Sequence, residues 1–354
     1  MYEKFQIKNF RCFADLTIST LKRVNLIAGK NNVGKTAVLE ALWLHLGRNN
    51  PSLPTAINVN RGLQYVRLSP EDIWRWDFYQ GQLNKPIELL GTYSDETYSH
   101  VRIALTSKQF VLVPTDEEEG LVEGRRSATT ESGAQELILE TEDSSGEKKS
   151  ARVWIDGKDL KGVPWPASTL PQGIFLTSAA IRPKDDVERF SELEVRKTVS
   201  NVVQDLRLIE PRLQDLRLVQ PGPAPVIHAD VGLPLRVPLP LLGDGTSRLL
   251  SILLAIASAP RGAVLVDEIE NGLHYTVLPS VWRAIGEAAR RSDVQVFATT
   301  HSWECICAAH EAFGSAPSYD FGLHRLDRHD SDIRAQTYSQ ETLGAAISAG
   351  FEVR

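Results

Sequence analysis

The stretch that decides the fold is Gly29-Lys-Asn-Asn-Val-Gly-Lys-Thr36. It matches the spacing G-x-x-x-x-G-K-[ST]. The two glycines let the backbone turn so that its N–H groups face inward, where they suit an anion. Lys35 adds a full positive charge, and Thr36 adds a hydroxyl group that can reach a magnesium ion. This spacing predicts a loop that binds the phosphates of a nucleotide.

The residues on either side of the loop have the context that such a site needs. Residues 22–28 carry the apolar pattern of a buried strand, and residues 36–46 place apolar side chains at helical spacing. A strand, a glycine-rich loop and a helix in this order bring the positive end of the helix to the phosphates. We expect nucleotide contacts from Gly29, Lys30, Asn31, Asn32, Val33, Gly34, Lys35, Thr36 and Ala37.

Two carboxylates follow an apolar strand much later in the chain. The run Val264-Leu-Val266 leads directly into Asp267 and Glu268. A buried parallel strand would deliver Asp267 to the edge of the sheet beside the loop, where Asp267 and Thr36 would hold Mg²⁺. Glu268 would then orient or deprotonate the attacking water. With Lys35 as the third catalytic group, these residues predict hydrolysis of the bound nucleotide.

A histidine lies just after the next apolar strand. Thr299-Thr-His-Ser302 follows residues 294–298, and His301 is placed to contact the terminal phosphate as a further catalytic residue. An alternative interpretation is that a threonine or serine caps the next helix and that His301 is an ordinary surface residue.

The spacing of these motifs predicts the organisation of the chain. Thr36 and Asp267 lie 231 positions apart, which is far more than a compact phosphate-binding fold needs. We expect a split α/β P-loop domain of residues 1–50 and 225–354, with a mixed β-sheet core. Residues 51–224 would form an insertion that contains antiparallel strands and hairpins up to about residue 180, and one helix over 185–209.

Composition restricts the class of protein. The chain has 354 residues, 42% hydrophobic and 24% charged, with a net charge of −6, which argues against a uniformly basic nucleic-acid binder. Three cysteines cannot build a disulfide framework. The sequence contains no apolar run long enough to span a membrane and no signal peptide at its start, so we expect a cytoplasmic protein without a membrane partner.

Five segments together resemble the ABC/SMC-like AAA-type ATPases of the OLD (overcoming lysogenization defect) type. They are Ile7-Lys-Asn-Phe-Arg-Cys-Phe13, the phosphate loop, Gly243-Asp-Gly-Thr-Ser-Arg-Leu-Leu250, Val266-Asp-Glu-Ile-Glu-Asn-Gly-Leu-His274 and Thr299-Thr-His-Ser302. The resemblance spans nearly the whole chain and implies an ABC ATPase head-like fold. The family favours ATP over GTP, and the sequence itself shows no base-reading motif.

The resemblance also implies roles for particular residues. Gly243, Asp244, Gly245 and Thr246 would form the signature turn, which in this family contacts the nucleotide held by another subunit. Two copies would then enclose two Mg-ATP in a head-to-tail dimer or a higher oligomer. Arg11 would lie near the nucleotide. A Q-loop glutamine would be Gln80 or Gln82, and the sequence does not choose between them.

Three functions remain open at this point. OLD-type nucleases carry an effector domain after the ATPase part, but here only eight residues follow Ala346. The first hypothesis is therefore an ATP-driven sensor or scaffold for a separate nuclease or toxin in anti-phage defence. The second is an SMC-like DNA-repair ATPase that uses a basic strip of Arg182, Lys184, Arg189, Arg196 and Lys197. The third is a module that holds ATP without turnover.

Overall fold

Two large β-sheets and one small sheet carry the fold. The computed structural model describes residues 1–63, 70–107, 135–156, 159–165, 170–178, 183–220, 222–330 and 332–353. The helices are α1 (Lys35–Leu46), α2 (Leu53–Asn60), α3 (Pro70–Trp74), α4 (Pro183–Val195), α5 (Val199–Leu206), α6 (Asp244–Ser258), α7 (Leu278–Ser292), α8 (Trp303–Gly314) and α9 (Gln340–Ser348). The strands are β1 (Tyr2–Phe10), β2 (Phe13–Ser19), β3 (Val24–Gly29), β4 (Ile87–Tyr93), β5 (Tyr98–Ser107), β6 (Gln135–Asp143), β7 (Lys148–Asp156), β8 (Asp159–Val163), β9 (Gly173–Leu176), β10 (Asp215–Val219), β11 (Val226–Asp230), β12 (Val237–Pro238), β13 (Ala263–Val266), β14 (Gln295–Thr299), β15 (Phe321–His329) and β16 (Asp332–Tyr338).

The six-stranded sheet holds the phosphate loop. Its order is β16-β15-β3-β14-β13-β9, and all neighbours pair in parallel except β15 and β16. Strands β3, β13 and β14 are buried along their whole length, because both faces of the sheet are covered. Their continuous apolar runs reflect this double burial. The mixed α/β P-loop fold predicted from the sequence is thus confirmed.

The seven-stranded sheet is entirely antiparallel, in the order β2-β1-β4-β5-β6-β7-β8. Residues 51–224 contribute β4 to β8 to this sheet, next to β1 and β2 from the start of the chain. The same residues also contribute β9 to the six-stranded sheet, where it pairs with β13. The predicted domain limits at residues 50 and 224 therefore do not separate the two sheets. Each sheet combines strands from residues 51–224 with strands from outside that range.

Alternation along the strands divides the core into two. On β3, Val24, Leu26 and Ala28 face a core that includes α6, α7 and α8, whereas Ile27 faces the other core. This second core also contains the buried faces of α1 and of the seven-stranded sheet. Helix α1, which begins at the phosphate loop, is therefore enclosed between the two large sheets.

Two local predictions were wrong. The helix predicted over 185–209 is two helices, α4 and α5, because Lys197 between them adopts a left-handed backbone (φ 59°) that a continuous helix cannot contain. Residues 53–60, expected among strands and hairpins, form α2. Its buried residues Leu53, Ile57 and Asn58 recur at helical spacing, a pattern too short to be decisive in the sequence. Among the described residues, no helix is both long and apolar enough to cross a membrane.

Candidate active site

The phosphate loop depends on glycine at two positions. Gly29 ends β3 with φ 143°, and Gly34 precedes α1 with φ 89°. A Cβ atom on Gly29 would lie 2.6 Å from the carbonyl oxygen of Leu326, and one on Gly34 would lie 2.5 Å from Cys12 Sγ. Both the backbone conformation and the close neighbours therefore exclude a side chain. The loop can curl tightly and direct its amides inward.

Lys35 lies folded over this loop. Its Nζ donates to the carbonyl oxygens of Gly29 at 2.7 Å and Lys30 at 3.0 Å. Burial is the main influence on the Lys35 pKa and lowers it, whereas the carboxylates of Glu268 and Asp267 act in the opposite direction. The ammonium group thus lies at the mouth of the loop, where a phosphate can replace the carbonyl acceptors.

Asp267 is surrounded by hydroxyl groups from three different elements. Thr36 Oγ1 donates to Asp267 Oδ1 at 3.0 Å, and Thr299 Oγ1 donates to the same oxygen at 2.7 Å. Ser178, just beyond β9, lies 3.4 Å from Oδ2. Magnesium is commonly held by one or two carboxylates together with substrate phosphates. The Thr36 hydroxyl and the Asp267 carboxylate, as close neighbours made of hard oxygen donors, fit that ion.

Glu268 has an unusual backbone that aims it away from the strand. Its φ of 47° is left-handed, which is uncommon for a residue other than glycine. Its amide donates to Thr299 Oγ1 at 2.8 Å, and Asn271 Nδ2 donates to Glu268 Oε2 at 2.8 Å. These bonds hold a strained conformation that carries the carboxylate to the edge of the loop. This position suits a group that orients an attacking water.

These residues enclose a cavity of about 450 Å³, called here the phosphate cavity. It is lined by Asn31, Asn32, Gly34, Lys35, Thr36, Ala37, Arg61, Asp267, Glu268 and Thr299. Arg61 is the member that the sequence did not reveal. It forms two bonds to the buried carboxylate of Glu40, at 2.6 and 3.0 Å, and Glu40 lies on α1. The pair fixes a second cation beside Asp267 and Glu268.

His301 lies in a second cavity of about 460 Å³, called here the histidine cavity. It is lined by Gly29, Lys30, Asn31, His301, Arg325 and Glu352. Asn31 is common to both cavities. Glu270 Oε1 accepts from the His301 amide at 3.0 Å and from Thr300 Oγ1 at 2.7 Å, and lies 3.2 Å from His301 Nδ1. Glu270 therefore orients the imidazole and leaves Nε2 for a ligand.

Comparison with known proteins agrees with this geometry. The profile of a protein family described as "AAA domain, putative AbiEii toxin, Type IV TA system" matches residues 24–304. The chain belongs to this family. A protein of Helicobacter pylori (strain ATCC 700392 / 26695) named ATP/GTP phosphatase is 22% identical over 372 residues, or 97% of each chain. The family, this relative and the geometry of the site together identify the chain as an ATPase.

Two further likenesses have narrower scope. An uncharacterized protein of Methanocaldococcus jannaschii is 50% identical over 46 residues, which are 13% of this chain and 21% of that protein. Among solved structures, an SmcHead bound to the C-winged helix domain of ScpA matches with a TM-score of 0.55 and 14% identity, over 97% of this chain and 99% of that chain. At this identity the likeness concerns the fold alone.

In this AAA ATPase, Arg11 does not line either cavity. Its Nη2 donates to Asn58 Oδ1 at 2.7 Å and lies 3.2 Å from Asp77 Oδ1, while its Nε lies 3.3 Å from Glu40 Oε2. Burial raises the pKa of Asp77 to about 7, and Arg11 lowers it. In this structure Arg11 makes structural contacts, and its contact with the nucleotide stays a prediction. Buried Glu40 and Asp77 need a cation nearby, and Arg11 supplies it.

The turn of residues 243–246, which was expected to be the signature motif, lies apart from both cavities. Gly243 has φ 114° and precedes α6, and both Gly243 and Asp244 are exposed. A Cβ atom on Gly245 would lie 2.9 Å from the carbonyl oxygen of Gly272, so glycine lets α6 approach the segment after Glu268. Further along α6, Arg248 Nη2 donates to the carbonyl oxygen of Asp267 at 2.8 Å. Through Arg248, helix α6 is thus linked to Asp267 of its own chain.

Neither glutamine that was considered for the Q-loop reaches the site. Gln82 Nε2 donates to Gln80 Oε1 at 3.1 Å, and neither residue lines a cavity described above. Instead, the strand beside β13 brings Ser178 to Asp267. The only sequence signal for Ser178 is its place after the short apolar run of β9, which no motif distinguishes.

Proposed function

We propose that this ATPase forms a head-to-tail dimer around Mg-ATP and acts as the sensor or scaffold subunit of an anti-phage defence system of the OLD type. A separate nuclease or toxin would be its effector. The observation that carries the dimer is the exposed turn at Gly243. A glycine turn at a helix N-terminus suits a phosphate, yet this turn lines neither the phosphate cavity nor the histidine cavity. The phosphate that it would bind would then be held by another copy.

Within one copy, the proposed chemistry follows from the side chains around the loop. Lys35 and the loop amides bind the phosphates and stabilise the charge that develops on the terminal one. Thr36 and Asp267 hold Mg²⁺, which when bound neutralises phosphate charge. Glu268 orients the attacking water, and His301, held by Glu270, contacts the terminal phosphate. Arg61 adds positive charge to the same cavity.

The effector part of the proposal rests on the comparisons. The family's own description includes a toxin of a type IV toxin–antitoxin system. The SmcHead with the similar fold is bound to a winged helix domain of another protein, ScpA. The bound ScpA domain supports a role in which this ATPase binds a second protein, and the family description supports a connection with toxin–antitoxin systems. Affinity purification together with the products of neighbouring genes should recover a nuclease or toxin, and recovery of the ATPase alone would argue against the effector.

The dimer is tested by light scattering of the Glu268→Gln protein with and without Mg-ATP. Removal of the carboxylate should slow hydrolysis and keep ATP bound, so the mass should rise from that of one chain, 39.3 kDa, to about twice that value. The double variant Lys35→Ala, Glu268→Gln is the control and should stay monomeric. A monomer in every condition would exclude the sandwich for the isolated chain. A constant oligomer would exclude ATP-driven association.

The structure does not favour the alternative of a DNA-binding ATPase. Within the proposed basic strip, Arg189 lies 3.2 Å from Asp186, and Arg196 lies 3.7 Å from Glu192. Arg182 lies outside the described residues. Since Arg189 and Arg196 are already paired with neighbouring acids, these two charges offer less to a phosphate backbone. Anisotropy of labelled duplex DNA over a salt series tests this, and a steep loss of binding with salt would revive the DNA hypothesis.

A further inference from the structure

Arg325 lies beside the phosphate loop, on the side away from Asp267. Strand β15 pairs with β3 so that Arg325 is opposite Ala28 and Leu326 is opposite Gly29. The guanidinium therefore reaches the carboxyl end of the sheet, and it lines the histidine cavity together with Gly29, Lys30 and Asn31. No local motif marks this arginine, because its neighbours in space are almost 300 positions away in the chain.

The present bonds of Arg325 leave capacity for another acceptor. Its Nη2 lies 2.9 Å from Asp327 Oδ1, while its Nη1 donates to the carbonyl oxygen of Glu352 across a longer 3.3 Å. Its Nε is buried and finds no acceptor among the residues that the structure describes. A buried donor without an acceptor is costly, so the present position of Nε is not an optimal one. A ligand oxygen that drew the guanidinium towards it would replace only the long bond from Nη1 to the carbonyl oxygen of Glu352.

The histidine cavity offers an anion two cationic side chains and an imidazole, with three carboxylates in or beside it. Lys30 and Arg325 are cationic, and the imidazole of His301 adds a further donor, whereas Glu352 is the one acid among the lining residues. Two other carboxylates lie close by: Asp327 is paired with Arg325, and Glu270 is paired with His301. Asn31 lines both cavities, so the terminal phosphate of a nucleotide in the loop would lie where they meet. It would then have Glu268 on one side, and Lys30, His301 and Arg325 on the other.

We propose that Arg325 binds the terminal phosphate of ATP and, when it does so, releases the carbonyl oxygen of Glu352. The proposal rests on the nucleotide site described above and not on the dimer. It makes Arg325 a residue that distinguishes ATP from ADP, because ADP has no phosphate at that end. It also connects the bound nucleotide to the segment Gly350–Val353.

The segment Gly350–Val353 is joined to Arg325 through the carbonyl oxygen of Glu352, so loss of that bond would affect it. Gly350, with φ 70°, ends α9, and the Phe351 amide donates to the carbonyl oxygen of Ala346 at 2.9 Å. Val353 is buried in the core, whereas the Phe351 side chain is 69% exposed. Glu352 lies between these two, and its bond to Arg325 links the segment to the histidine cavity. The exposed Phe351 would thus change its surroundings with the nucleotide state.

Dissociation constants for a non-hydrolysable ATP analogue and for ADP test the assignment. A charged hydrogen bond contributes enough that Arg325→Gln should weaken binding of the analogue by about tenfold or more. Binding of ADP should stay within about twofold of the wild-type value, since the inner phosphates do not reach Arg325. The conservative Arg325→Lys should restore part of the lost affinity for the analogue.

Arg328→Gln is the matched control on the same strand. Its Nη2 donates to the backbone carbonyl of Asn32 at 2.9 Å, and Arg328 does not line the histidine cavity. The change should therefore alter both affinities by the same factor. If Arg325→Gln weakens both nucleotides equally or neither, the assignment is wrong. If the wild-type chain binds neither nucleotide, the nucleotide site itself is wrong, which is a separate failure.

A second measurement needs no variant. Hydrogen exchange of the backbone amides of residues 349–353 in the wild-type chain should be faster with the ATP analogue than with ADP, because the bond to Glu352 is then released. Equal exchange in the two states would overturn the link between Arg325 and this segment.

Discussion

The two large sheets of this ATPase are comparable in size but differ in the direction of their strands and in the residues that the strand ends bring together. In the six-stranded sheet, five parallel strands end at one edge, and Gly29, Asp267 and Thr299 meet there although they lie far apart in the sequence. In the seven-stranded sheet the strand direction alternates, so no edge collects the ends of successive strands. Its outward side chains instead form short cross-strand ion pairs, such as Arg102 with Glu140.

The difference shows why chemistry concentrates on one sheet. Parallel strands bring their carboxyl ends to one line, which is where α/β folds bind ligands. The antiparallel sheet contributes burial: its inner face packs against α1 and so supports the helix that begins at the loop. Substitutions ordered from the loop towards the outer face of the antiparallel sheet should therefore have decreasing effects.

The largest effect is expected at Lys35. Replacement with alanine removes the charge at the mouth of the loop, and ATP turnover should fall by about 10²- to 10³-fold. A colorimetric phosphate assay and a fluorescent nucleotide titration measure the loss. Arg102→Ala is the control, because Arg102 pairs with Glu140 on the antiparallel sheet and lines neither the phosphate cavity nor the histidine cavity. An equal loss in both variants would contradict the special role of Lys35.

His45, enclosed between the two sheets, should make stability depend on acid. Tyr2 Oη lies 2.7 Å from Nδ1, and Ser99 O accepts from Nε2 at 2.9 Å, so the neutral ring satisfies both partners. Burial lowers the pKa of His45 to about 3. The unfolded chain therefore takes up the proton first, and stability is complete above about pH 6.5 and is lost as the pH falls towards 3.

His45→Gln should reduce this acid loss by an amount on the order of 3 kcal/mol at pH 4. Urea unfolding across pH 4 to 8 measures it, with the difference at pH 8 taken as the cost of the substitution itself. If the free energy of unfolding depends on pH in the same way for both proteins, His45 does not cause the loss of stability in acid. His324, whose pKa burial also lowers to about 3, would then be the next histidine to replace.

Arg61 lies on the connection between the sheets and should have an intermediate effect. Arg61→Gln leaves the fold intact but removes a cation from the phosphate cavity, so turnover should fall by about tenfold. Arg212→Gln is a matched control, because Arg212 also forms two bonds to one carboxylate, Glu210, but lies outside both cavities. Loss of activity in the control alone, or in neither variant, would remove Arg61 from the site.

The smallest effect is expected on the outer face of the seven-stranded sheet. Arg102 and Glu140 form an ion pair at 2.8 Å, with side chains 46% and 53% exposed. Such pairs contribute little, so Arg102→Ala should change the free energy of unfolding by less than about 0.5 kcal/mol and leave turnover unchanged. Urea midpoints and the phosphate assay check both. A clear loss of turnover would show that this sheet does more than support α1.

Sequence reasoning located those residues of the phosphate cavity that belong to a short, contiguous pattern. The loop from Gly29 to Thr36 is contiguous, and Asp267 and Glu268 directly follow a buried strand, so each could be recognised on its own. The motif of Arg11 lies close to the loop, but it did not predict that the side chain contacts the buried acids Glu40 and Asp77. Nearness along a motif does not determine where a long side chain points.

The sequence by itself determined the phosphate loop, the acidic pair and the α/β character, because these depend on residue type and short-range periodicity. Only the tertiary structure decided that Arg61 lines the phosphate cavity, that Ser178 approaches Asp267 and that Arg325 lines the histidine cavity. It also decided that β9 pairs with β13. Those positions follow from which strands become neighbours. Strand pairing depends on burial across the whole chain, and so no local stretch of sequence records it.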